Sequence, residues 1–350
     1  MKNKRLLLIP LCLLCTSCSV YMPWQDIESA TNDSEATNKE SVQLLMDPKF
    51  ENGFLAIHGA GKKIDENDYI PEGYYDGNVT LKYGDNKKSP TWTLRQNNDV
   101  YNLNDVYHDD VKPEMIDDYY VFTDNSKKLA VNPVKGNLYM ELNASQEYPR
   151  DRIEEGEWCH MLIASSLSKN TTVSETSSIQ LTMDIQLLKN EDRHLLVYHE
   201  NPVGQFLMYI QMTSTSPNET SNKTFWFGIP LFDTQYPYAG QMVESAQEDF
   251  ASGSNTGGLI YKIAGKDIYG DENITLTDMK KHSINIDLKP YFERAIELAH
   301  KTKMTSGNYF WSDTEFEDLV ITDMNLGYEL PGRRDMGIEI SNFSMLANYN

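Results

Sequence analysis

The chain has 350 residues, 40% of them hydrophobic and 24% charged, which excludes a disordered chain and a multi-pass membrane protein. Its 52 acidic residues outnumber 31 basic ones, for a formal net charge of −21. Such a surface repels a phosphate backbone, so nucleic acid is excluded as a general partner.

The amino terminus reads as an address. Lys2, Lys4 and Arg5 precede an apolar stretch over residues 6–15. That stretch is too short to cross about 30 Å of hydrocarbon. Thr16 and Ser17 then lead to Cys18. This looks like a bacterial lipoprotein signal, cleaved before a cysteine that is acylated, with Cys15 where the pattern usually has leucine. The expectation is a signal peptide over 1–17, a lipidated Cys18 and a protein moored at the outer membrane or cell surface. Cleavage there removes Cys12 and Cys15, so with Cys18 acylated Cys159 is the single thiol and no internal disulfide forms. Residues 18–43 are polar and aperiodic, which predicts a flexible tether. Residues 44–350 show no second linker and are expected to form a single large domain.

Within that domain the dominant period is two. Ile179, Leu181, Met183, Ile185 and Leu187 alternate, residues 205–213 mix apolar and polar likewise, Ile284, Ile286 and Leu288 share a face, and 336–346 alternates. Turns are predicted at Asp76-Gly77, over the Ser/Gly run 252–258 and at Gly270-Asp271. One helix is predicted over 290–303, with Pro290 in its first turn and Phe292, Ala295, Ile296 and Ala299 on one side. Many strands and one helix predict an all-β, antiparallel β-sandwich of jelly-roll or concanavalin-like type.

Several catalytic motifs are absent. His58–Lys63, HGAGKK, lacks the third glycine of a dinucleotide loop and the Ser or Thr of a P-loop. His194 and His199 lie an odd number of residues apart in a strand-like run, so they face opposite ways and share no metal. No Gly-x-Ser-x-Gly elbow occurs.

Three regions nominate site residues. Residues 145–162, SQEYPRDRIEEGEWCHML, concentrate charge beside Trp158 and lead into a strand with His160. Arg150 and Arg152 suit a clamp on acidic or hydroxyl-rich sugars, and His160 suits a base near neutral pH. The stretch loosely resembles the Arg-Thr-Glu-Leu-Arg strand of alginate-lyase-type jelly rolls, with Glu154 where that strand has its second arginine. Residues 225–238, FWFGIPLFDTQYPY, predict a strand ending near Pro230 and an aromatic loop with Asp233, Tyr236 and Tyr238. Flat rings beside a carboxylate match the two sides of a sugar. Trp226 faces opposite to Phe225 and Phe227. Trp92, near Arg95 and Gln96, is the third nominee, with a place in the core as its competing role.

No cofactor is expected. Asp109-Asp110, Asp117-Asp118, the acids at 313–318 and Asp335 supply oxygens of the kind that hold a structural calcium, or simply face solvent in turns. Arg333 and Arg334 are candidates for a local positive patch.

The ending ITDMNLGYELPGRRDMGIEISNFSML, with WCHMLIASSL, FWFGIPLFD and the lipoprotein-like start, resembles surface lipoproteins of Bacteroidetes glycan-utilisation systems. That resemblance implies a jelly-roll or lectin-like domain, a glycan or polysaccharide ligand and outer-membrane uptake partners. The expected function is a surface-anchored lipoprotein that binds polysaccharide. The alternative is a polysaccharide-cleaving enzyme, lyase or glycoside hydrolase, using Arg150, Arg152, His160 and Asp233.

Overall fold

The computed structural model describes residues 40–58, 75, 77–84, 87–148, 151, 158–193, 195, 204–219, 224–251 and 254–349. Contacts divide the chain at residues 36 and 37, and the second unit holds every described residue. The signal, Cys18, Arg150, Arg152, His194 and His199 lie outside the described residues.

Seventeen strands run in chain order among the described residues. They are β1 (Ser41–Gln43), β2 (Phe54–His58), β3 (Val79–Leu81), β4 (Trp92–Gln96), β5 (Glu114–Ile116), β6 (Tyr119–Thr123), β7 (Lys127–Asn132), β8 (Asn137–Asn143) and β9 (Cys159–Thr172). There follow β10 (Thr176–Asp192), β11 (Gln205–Ser214), β12 (Phe225–Asp233), β13 (Ser245–Ala251), β14 (Ser254–Lys262), β15 (Lys281–Asp287), β16 (Leu319–Leu330) and β17 (Arg334–Tyr349). Four short helices punctuate them: α1 (Leu103–Tyr107), α2 (Ala144–Glu147), α3 (Gly265–Tyr269) and α4 (Lys289–Lys301).

The strands form two sheets. One has the order β15-β10-β17-β8-β7-β6-β5, with β1 also paired to β17. The other has nine strands in the order β13-β14-β12-β11-β16-β9-β4-β2-β3. Their apolar faces form one core. Ile179, Leu181 and Met183 of β10 and Leu138, Met140 and Leu142 of β8 are buried from one side. Met161 and Ile163 of β9, Phe206, Met208 and Ile210 of β11 and Leu326 and Tyr328 of β16 are buried from the other. The Tyr328 hydroxyl donates to Met140 O at 2.8 Å and ties the layers together. The fold is the expected all-β sandwich of jelly-roll type. It departs from strict antiparallel order at β2/β4 and β12/β14, which pair in parallel.

Local chemistry accounts for the elements. In β10, five alternating side chains fill the core face, and all of them are buried. In α4, Pro290 occupies the first turn, where its missing N–H has no acceptor to lose. Phe292, Ala295, Ile296 and Ala299 are its buried side, and Phe292 meets Phe227 of β12 with ring centroids 4.2 Å apart.

Three boundaries differ from expectation. The tether expected over 18–43 overlaps β1, whose Ser41, Val42 and Gln43 pair with Asn348, Ala347 and Leu346 of β17. The Ser/Gly run predicted as a turn over 252–258 is strand from Ser254, because β13 supplies a backbone ladder in which Ala251 pairs with Ser254 and Phe250 with Asn255. Small side chains hide this pairing from periodicity. β12 continues past Pro230 to Asp233. A register shift between Phe206 and Leu207 lets Leu207 face Pro230 and Phe206 face Phe232. A bulge tolerates the missing proline N–H within a strand.

The acidic clusters mostly serve turns and caps. Asp110, Asp117 and Asp118 adopt positive φ, a conformation open to aspartate at tight turns. Glu315 and Asp318 cap the turn over 316–318. Asp335 accepts from Ser145 N and Oγ, both at 3.0 Å, and from Arg193 Nε at 3.1 Å. Among the described residues, no group of three or more His, Cys, Asp or Glu is placed to hold a metal ion. No described helix is long and apolar enough to cross a membrane.

Candidate functional site

The candidate site lies on the face of the nine-stranded sheet that points away from the core. In β9, Cys159 and Met161 point inward and are fully buried, so His160 points outward. In β16, Tyr328 and Leu330 point inward, so Glu329 points outward. In β11, Phe206 and Met208 point inward, so Gln205 points outward. The register then aligns these residues across neighbouring strands. Gln205 pairs with Asp233 on one side and Glu329 on the other, and Glu329 pairs with His160. Directly paired residues share a face, so Asp233, Gln205, Glu329 and His160 form one polar row across β12, β11, β16 and β9.

The row is linked by contacts. Gln205 Nε2 donates to Asp233 Oδ2 at 2.7 Å, and the Gln235 backbone N–H donates to Asp233 Oδ1 at 2.9 Å. His160 Nε2 lies 4.0 Å from Glu329 Oε1, with both side chains about one-fifth exposed. His160 Nδ1 is buried without a hydrogen-bond partner among the described residues. Asp233 is 6% exposed, and burial pushes its carboxyl above the ordinary range against the opposing pull of Gln235 N–H, Gln205 and Lys262.

Further along the same face, Tyr209 pairs with Gly228 and Asn325, and Gly228 pairs with Lys262. A Cβ at Gly228 would stand 2.9 Å from the Tyr209 ring, so glycine leaves the space that ring uses. Burial, and then the charges of Glu329 and Asp249, hold the Tyr209 hydroxyl protonated far above its ordinary range. Asn325 Oδ1 is buried without a partner among the described residues. One row beyond, Trp226 pairs with Gln211, and Gln211 with Asp323. Trp226 stands edge-on to Tyr209, with centroids 6.1 Å apart, and is partly exposed. The face thus offers carboxylates, amides and an accessible indole on one rigid surface. That is the mixture a polyhydroxylated ring uses: hydrogen bonds at its edge and flat contact on its C–H faces.

A buried ionic cluster anchors the strand that bears His160. The His160 N–H donates to Asn97 O at 3.1 Å and to Asp99 Oδ1 at 3.2 Å. Asp99 Oδ2 is 3.2 Å from Lys127 Nζ, which also meets Glu147 Oε1 at 3.0 Å, Ser126 Oγ at 3.0 Å and Tyr101 O. Asp124 is 4.0 Å away. Lys127, Asp99 and Glu147 side chains are wholly buried. Burial pushes Asp99 up to about 7 despite Lys127. Tyr148 fastens the same end, donating to Leu330 O and accepting from Cys159 N, both at 2.6 Å.

Of the nominated residues, the fold brings Asp233 and His160 into one row. Tyr236 and Tyr238 are 37% and 47% exposed on the loop after β12. Trp158 is partly exposed immediately before β9. Trp92 does not belong to the site. It is fully buried, donates Nε1–H to Asp47 O at 2.8 Å and packs on Phe50 and Phe343, so its ring is not offered to a ligand. Alternation placed Trp92 on one face of β4 without telling which face met the core. Arg333 and Arg334 form no open positive patch. Arg333 donates to Ser145 O and Tyr148 O, while Arg334 is 9% exposed and donates to Asn190.

Glu329, Gln205 and Tyr209 were not nominated from sequence. Glu329 sits between inward Tyr328 and Leu330, so its outward direction is readable, but its neighbours across the sheet are not. A separate groove of about 650 Å³ lies between β3, β6 and α1, beside Tyr83, Tyr107, His108, Lys112 and Tyr120. Tyr83 and Tyr120 stack on each other there at 5.0 Å, which occupies ring faces a ligand would need.

No family model matches the chain, and no curated protein matches it. Among solved structures, it is similar to the endoglucanase Cel12A from Rhodothermus marinus at 12% identity, covering 66% of this chain and 92% of that one, with a TM-score of 0.36. A family 12 xyloglucanase from Bacillus licheniformis is 12% identical over 67% and 95% of the two chains, with a TM-score of 0.36. The xyloglucanase domain of NopAA, an effector from Sinorhizobium fredii in complex with cellobiose, is 9% identical over 65% and 97%, with a TM-score of 0.34. At these scores the likeness assigns no role to any residue of this chain.

Proposed function

We propose that this protein is a lipid-anchored surface protein that takes a polysaccharide chain on the outer face of its nine-stranded sheet. The observation that carries this reading is the register that places Asp233, Gln205, Glu329 and His160 in one row beside Tyr209 and Trp226. The face carries Asp233, Glu329 and Asp323 against Lys262 and Arg95, which favours a neutral glycan over a polyuronate or sulfated chain. Isothermal titration against a mixed-linkage glucan, a xylan and a galactomannan tests it. At least one should bind, and Trp226→Ala should weaken that binding about two- to twelvefold, the loss of one ring contact worth about 0.5–1.5 kcal/mol. Flat traces for every polymer would reject the reading, as would unchanged affinity in Trp226→Ala.

The anchor is part of the same proposal. An acylated Cys18 and a polar tether ending ahead of β1 would hold the domain above the membrane, where an outer-membrane uptake system is the implied partner. Cys18→Ala should move the protein from the membrane fraction to the soluble fraction of its bacterial host. Retention of the variant in the membrane fraction would remove the lipid anchor from the account.

Cleavage of the bound chain is the second reading. Two carboxylates in one row, one of them biased toward its protonated form, favour it.

A further inference from the structure

We infer that Asp233 and Glu329 hydrolyse a neutral glycan held across Gln205, with inversion at the anomeric carbon. The inference rests on the reading that the outer face binds glycan, and it adds a reaction to it. The geometry comes from the register. Asp233 on β12 and Glu329 on β16 each pair with the same residue, Gln205 on β11. They therefore stand two strand steps apart. Each step is about 4.8 Å, giving about 9.6 Å between their backbones. Side chains in one row rise roughly perpendicular to the sheet, so the carboxyl groups keep about that spacing less whatever they lean inward. Inverting glycosidases use about 6.5–9.5 Å, which leaves room for a water, whereas retaining enzymes use about 5–5.5 Å. A retaining pair in this row would need adjacent strands, and the residue adjacent to both is an amide.

The two carboxyls have different surroundings. Asp233 is nearly buried, and that burial favours its protonated form, as an acid requires. Glu329 is more exposed, and His160 Nε2 lies 4.0 Å from its Oε1. Gln205, fastened to Asp233, forms the floor between them.

The reaction balances with water as the second reactant. The Asp233 carboxyl donates its proton to the glycosidic oxygen, and the bond from that oxygen to the anomeric carbon breaks. A water on the opposite face of the sugar forms a bond to that carbon and gives its proton to Glu329. The products are a hemiacetal of inverted configuration and the free hydroxyl of the departing sugar. Proton exchange with solvent then restores both side chains. His160 acts on Glu329 and is a positioning residue.

Proton NMR of early products from the same three polymers, alongside the titrations, tests the inference. The expected result is new reducing ends whose first-formed anomer is opposite to the bond cleaved. Asp233→Asn and Glu329→Gln should each lower turnover at least a hundredfold, well beyond any loss of binding, and unchanged circular dichroism spectra report that both variants fold. Binding without products would overturn hydrolysis and leave the binding reading standing. Products of retained configuration, or full turnover in either variant, would overturn the assigned pair. Neither binding nor products would overturn both.

Discussion

Lys127→Met is expected to destabilise the domain by about 3–5 kcal/mol near pH 8, among the largest effects of any single substitution. The ammonium it removes is a buried cation set among Asp99, Glu147 and Asp124. Burial opposes its charge, but attraction to these carboxylates holds Lys127 well above the usual lysine range, so it is ionised at both pH 5 and pH 8. Without it, carboxylates buried beside one another lose their counter-charge. The loss depends on pH with a definite sign. Asp99 is raised in the fold to about 7 from the ordinary carboxyl range, so its protonated form adds stability that is complete below about 4 and is lost as pH rises through about 7. Removing Lys127 raises it further, so the loss continues to higher pH. The difference in unfolding free energy between variant and wild type should therefore be smaller at pH 5 than at pH 8. Urea denaturation at the two values checks this, and an equal difference at both would contradict the cluster.

Trp92→Ala is expected to cost a similar amount, about 3–5 kcal/mol, by opening a cavity among Phe50, Phe54 and Phe343 and removing one of the two donors to Asp47 O, which keeps the Phe50 N–H. The experiment separates two roles of this residue. A core tryptophan lowers the urea midpoint at unchanged slope and leaves glycan affinity per folded molecule intact. A ligand-contacting tryptophan would do the reverse, with weaker binding at unchanged stability. The buried ring and its bond to Asp47 predict the first outcome.

Much of the fold was legible because its signals are local. Five alternating apolar residues in β10 and four in α4 state their periods within a dozen positions, and both elements formed as expected. The inward direction of Phe225 and Phe227 and the outward direction of Trp226 likewise follow from alternation once one face is known to meet the core. The site was less legible because its unit is a row, not a segment. Asp233 and His160 were nominated for their own chemistry. Glu329 and Gln205 complete the row only through pairing between β12, β11, β16 and β9, which no short window records. Pro230 misled for a related reason. A bulge absorbs its missing N–H, and the bulge depends on the partner strand. Trp92 shows the limit from the other side, since composition suits a glycan face and a core equally until burial decides.

On the function proposed here, the outer face of the nine-stranded sheet is where this protein meets sugar. A crystal structure of the Glu329→Gln variant with an oligosaccharide tests it most directly, because that variant is expected to bind without turning over. A sugar ring should lie over Gln205, with hydroxyls within hydrogen-bond distance of Asp233 and residue 329 and a neighbouring ring against Trp226. An oligosaccharide seated on the eight-stranded sheet, or in the groove beside Tyr83 and Tyr120, would contradict it.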